Sequence, residues 1–137
     1  MTSNPLLIFD FDGVIVDGME EYWWSARKAC LDLLPTTKSP SALLPQSVPN
    51  TFKKLRPWVH QGWEMVLLAA ELSRHESNLS IRGPTFFSLD YKNQCQQALE
   101  IWGWESSTLQ KALDQARLDQ IKYNFSSWIN TFPVINA

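Results

Sequence analysis

Residues 6–18 read Leu-Leu-Ile-Phe-Asp-Phe-Asp-Gly-Val-Ile-Val-Asp-Gly, an apolar run that passes directly into two carboxylates and a glycine. Leu6 to Phe9 is continuous rather than alternating in hydrophobicity, the pattern of a strand buried on both faces of a parallel sheet. Asp10 and Asp12 stand where that strand should end, and Gly13 lets the backbone leave it. Side chains two apart on an extended chain point the same way, so both carboxylates can reach one site while Phe11 turns towards the core. The carboxyl ends of strands in open α/β sheets are also where ligands bind.

Two carboxylates this close repel unless a proton or a cation lies between them. Mg²⁺ suits such a pair, being a hard ion bound through one or two carboxylates together with phosphate and water. The string Asp10-Phe11-Asp12-Gly13-Val14-Ile15-Val16-Asp17, with the strand before it, resembles the first signature motif of the haloacid dehalogenase superfamily of phosphatases and phosphotransferases. The resemblance implies an α/β, Rossmann-type core with a helical cap. It also implies that Asp10 attacks phosphorus to form an aspartyl-phosphate, and that Asp12 protonates the leaving oxygen and then activates water. Asp10 and Asp12, the latter through its backbone carbonyl, would hold Mg²⁺. An acid at residue 12 favours phosphate chemistry over halide displacement, which needs no proton donor for its leaving group. Asp17, before Gly18, reads first as a turn or capping residue.

A chain of 137 residues normally forms one domain that buries roughly two-thirds of its unfolded surface. Beyond Gly18 no convincing strand follows until residues 132–135, and the rest reads helical. The first helix is expected over 19–34, with Tyr22, Ala26, Ala29 and Leu33 on one face and Pro35 ending it. Four of the eight prolines fall in 35–50, which predicts a loop before a short helix over 50–55. Pro57 suits the first position of a helix over 58–74, with Val59, Trp63, Val66, Leu67 and Ala70 in a stripe and Gly62 as a weak point or a close-packing site. Residues 76–87 read as irregular. Asp90 is the expected N-cap of a helix over 91–102 closed by Gly103. Ser107 with Gln110 resembles a capping box that opens a helix to residue 123, with Leu109, Ala112, Leu113 and Ala116 inward, and a last helical turn over 126–131.

By the resemblance, residues 1–18 are expected to be first strand and catalytic loop, 19–131 the helical cap, and 132–137 the return to the core. The chain itself is expected to be predominantly α with one catalytic strand. The family's later motifs would supply a Ser or Thr, a Lys and further acidic ligands, and none can be placed here: Lys92, Lys111 and Lys122 lie in helical patterns. Leaving Leu6 to Phe9 unburied would forgo roughly 1.5 to 3 kcal/mol each. The expectation is thus an amino-terminal fragment or a naturally short form, inactive alone.

Lys53, Lys54 and Arg56 form the densest basic cluster, beside an expected helix start whose free N–H groups attract anions. Arg56 is the candidate substrate contact, against the alternative of a solvated cationic helix face. Most of the seven tryptophans read as core, with Trp23 or Trp24 as a possible aromatic wall for substrate. His60 and His75 lack partners at metal-ligand spacing and read as helix-surface residues. Cys30 and Cys95 read as buried reduced thiols.

A formal net charge of -2 gives no electrostatic case for nucleic acid. The apolar run near the amino terminus is too short for a signal peptide, and no stretch approaches membrane-spanning length, so a cytoplasmic location is expected. The reading is a Mg²⁺-dependent phosphatase whose partner is a small phosphorylated metabolite. A phosphomutase using the same Asp pair, or a non-catalytic helical interaction module keeping the motif as a relic, are the alternatives.

Overall fold

The structure, a computed structural model, describes residues 18–34 and 44–123. The expected strand over 6–9, Asp10 and Asp12, most of the proline-rich loop, the turn over 126–131 and the return over 132–137 lie outside the described residues. Among the described residues helix accounts for 79% and there is no strand, so this part of the chain is all-α.

Helix α1 (Met19–Leu33) begins as Tyr22 N–H donates to the Gly18 carbonyl at 2.8 Å, with Glu20 and Glu21 in the first turn where the helix dipole favours them. It stops because Leu34 is extended, at φ -83° and ψ 148°, the conformation imposed on a residue before proline. Ala26, Ala29, Cys30 and Trp23 are buried, and Tyr22 and Leu33 are partly buried at its ends. The chain returns along α1 at Leu44 and Pro45, whose carbonyls accept from Arg27 Nε and Trp23 Nε1, each at 2.8 Å. Helix α2 (Asn50–Leu55) follows, anchored by buried Phe52, which meets the Trp23 ring edge-on at 5.0 Å.

The helix expected over 58–74 is shorter. Arg56–Trp58 forms one 3₁₀ turn containing Pro57, Val59 and Gln61 are extended, and helix α3 runs only over Gly62–Leu72. Its start is fixed from a distance: Trp63 N–H donates to Gln110 Oε1 at 3.0 Å, and the Glu64 carboxylate accepts from His60 N–H at 3.1 Å. Residues 64–71 of α3 are all buried, as befits a central helix that packs on α1 and on three later helices. Gly62 is a close-packing site, since a Cβ there would lie 2.7 Å from Leu113 Cδ2.

Residues expected to be irregular form helix α4 (Asn78–Leu89). Ser77 caps it, its Oγ accepting from Ser80 N–H at 3.0 Å and donating to the Glu71 carbonyl at 2.7 Å. Gly83, at φ 89° and ψ 175°, kinks it before Pro84, so the Gly-Pro pair does break the helix, but both halves remain helical and are anchored by buried Leu79 and Phe87.

Helix α5 (Tyr91–Trp102) has Asp90 at its N-cap position, but the Asp90 carboxylate accepts from Asn93 Nδ2 instead of capping a backbone N–H. Gly103 closes it as expected, at φ 73°. Trp104 N–H donates to the Leu99 carbonyl at 3.1 Å and Gly103 N–H to the Glu100 carbonyl at 3.2 Å, the paired bonds of a Schellman motif. Helix α6 (Ser106–Tyr123) starts one residue before the expected capping box, with Thr108 N–H on the Glu105 carbonyl. Gln110 is committed to α3 and to Asp114, so it caps nothing in its own helix. Leu109, Leu113 and Ala116 are buried and Ala112 partly so.

Candidate functional site

Asp10 and Asp12 lie outside the described residues, and the structure takes up the chain at Gly18, six residues after Asp12. The Tyr22 ring folds over that point: a Cβ on Gly18 would lie 3.0 Å from Tyr22 Cζ. Arg56 Cζ stands over the same ring, 4.6 Å from its centroid. The side chain singled out as a substrate contact is thus held on a ring of the first turn of α1.

A cleft of about 800 Å³ opens at the same end of the molecule, lined by Met19, Glu20 and Trp24 of α1, by Gln46, Ser47 and Val48, and by Lys53 of α2. Of the three expected cations, Lys53 lines the cleft, Arg56 stacks on Tyr22 and Lys54 is exposed. The expected help from helix N–H groups is absent for a local reason. Lys53 and Lys54 sit in the last turn of α2, and α3 begins six residues after Arg56, with its Trp63 N–H already bonded to Gln110. The two tryptophans separate cleanly. Trp23 is a core residue, 1% exposed, whereas Trp24 is 38% exposed and lines the cleft.

His60 and His75 are exposed and lie off the helices, His60 in the irregular stretch before α3, which starts later than its pattern suggests, and His75 in a turn after it. Among the described residues no three His, Cys, Asp or Glu side chains are grouped to hold a metal. Cys30 and Cys95 are free and buried, as expected, and burial pushes both thiols up to about 12. Neither is a thiolate nucleophile near neutral pH.

Two buried carboxylates went unremarked in the sequence. Glu64 accepts from Tyr91 Oη at 2.8 Å, and Glu71 accepts from Trp102 Nε1 at 2.8 Å and from Arg74 Nη2 at 3.3 Å. Tyr91 and Trp102 are the first and last residues of α5, so the two glutamates clasp that helix along α3 at both ends. The available signal was two charges seven apart within the apolar run of α3, hence on one face.

Comparison of the chain with protein-family models, with curated proteins and with solved structures found no match.

Proposed function

We propose that the protein is a phosphatase of the haloacid dehalogenase type, transferring the phosphoryl group of a small phosphate monoester to Asp10 and thence to water. The observation that carries this reading is the string from Leu6 to Asp17, in which a buried-strand pattern ends on Asp10-Phe11-Asp12-Gly13. The helical block that follows begins at Met19 with a cleft lined by Lys53 and Glu20 and with Arg56 over the nearby Tyr22 ring, two cations for an anionic substrate against one carboxylate. Asp10 is the nucleophile, and Asp12 gives a proton to the leaving oxygen and takes one from the attacking water. The carboxylate of Asp10 and the oxygens of Asp12 are hard donors of the kind Mg²⁺ takes, and the ion would neutralise charge on the transferring group.

The test is Mg²⁺-dependent hydrolysis of a panel of small phosphate monoesters by the product of the whole reading frame. Activity that vanishes in Asp10→Asn is the expected result, and activity indifferent to Asp10 would sink the proposal. A second reading, a helical interaction module, draws on Ile81, Leu89 and Ile101, three large apolar side chains exposed on α4 and α5. A phosphatase-inactive chain that binds neither Mg²⁺ nor a phosphate mimic would favour it.

A further inference from the structure

A second cavity, of about 640 Å³, lies between the start of α3 and the start of α5 and shares no lining residue with the cleft at Met19. Trp58, Trp63 and Tyr91 bring three aromatic rings to it, and Glu64, a residue only 7% exposed, brings a carboxylate. Both donors on that carboxylate, Tyr91 Oη and His60 N–H, are neutral and share Oε1. Among the described residues no Lys, Arg or His forms an ion pair with Glu64. Its place in the first turn of α3 lets the helix dipole answer part of that charge, but a carboxylate withdrawn from water without a counter-ion remains costly, and a cation delivered to it recovers the remainder.

We propose that this cavity binds an organic ammonium ion, with the alkylated head group against the aromatic rings and its charge beside Glu64. Aromatic faces attract such cations, most strongly where water is excluded. Phosphate or carboxylate ligands are repelled by Glu64, and a purely apolar ligand would leave the carboxylate desolvated and unpaired. A neutral sugar could use the rings and the carboxylate without answering its charge. Lys92 also lines the cavity but is exposed on the first turn of α5, and its charge opposes a bound cation.

The experiment is calorimetric titration of the full chain with choline, with its neutral isostere 3,3-dimethylbutan-1-ol, and with glucose. Choline is expected to saturate one site and to bind roughly tenfold more tightly than the neutral alcohol. Glu64→Gln, which keeps an oxygen for Tyr91 and His60, should erase that preference. Lys92→Gln, at an exposed position where folding is not at stake, should tighten choline binding. Equal binding of choline and the alcohol, binding of glucose alone, no saturation by choline, or no tightening in Lys92→Gln would each overturn the assignment.

Discussion

The guanidinium of Arg56 lies over the ring of Tyr22, 4.6 Å from its centroid, joining the 3₁₀ turn after α2 to the first turn of α1. Thirty-four positions separate the two residues in sequence, and the same Tyr22 ring also folds over Gly18. A double-mutant cycle of Arg56→Ala and Tyr22→Leu, read by urea denaturation, is expected to give a coupling of about 0.5 to 1 kcal/mol. Arg56→Lys should lose most of it, because the planar guanidinium stacks on a ring in a way an ammonium does not.

Trp23 and Trp24 are neighbours with opposite duties. Trp23→Ala removes a buried indole, its contact with Phe52 and its bond to the Pro45 carbonyl, and is expected to cost about 3 to 5 kcal/mol. Trp24→Ala should stay within about 0.5 kcal/mol of the parent. Under the phosphatase reading its effect falls on KM. Thermal unfolding of the two variants side by side checks the contrast.

Glu71 is 3% exposed and takes the Trp102 indole N–H and the Arg74 guanidinium, which itself lies 5.5 Å from the centroid of the Trp102 ring. Glu71→Ala leaves both donors without their acceptor and is expected to destabilise by about 2 to 3 kcal/mol in a urea melt. Glu71→Gln keeps an acceptor for the indole and should cost less.

Much of the helical framework was legible. Ala26 with Ala29, Leu109 with Leu113, and Gly103 after α5 announce a buried face or a stop by local spacing alone. The places that were not legible are settled at a distance or masked by a local break. The start of α3 depends on Gln110, 47 residues away, and that commitment also removes Gln110 from the capping box its own sequence suggests. Helix α4 was hidden by Gly83-Pro84, which signals a break but not that helix resumes on the far side. Arg56 was singled out for its charge, whereas its partner Tyr22 follows only from the packing of α2 against α1.

Stability should fall in alkali for a stated reason. Burial raises the Cys30 and Cys95 thiols from an ordinary 9.0 to about 12. Below pH 9 both states keep these protons and the contribution is constant. Between pH 9 and 12 the unfolded chain releases them while the folded chain holds them, so the unfolding free energy falls steadily as pH rises through this window. Tyr91, raised by burial above its usual 10.0, acts in the same direction at higher pH. Urea midpoints measured across this range should decline, and Cys30→Ala should flatten the slope.

The claim that Asp10 and Asp12 form a phosphoryl-transfer site is tested most directly by titrating the product of the whole reading frame with Mg²⁺ and beryllium trifluoride, separately and together. Binding is expected to be saturable only when both are present, and to be lost in Asp10→Asn and weakened in Asp12→Asn. Absence of binding, or binding that Asp10→Asn leaves untouched, would contradict the account.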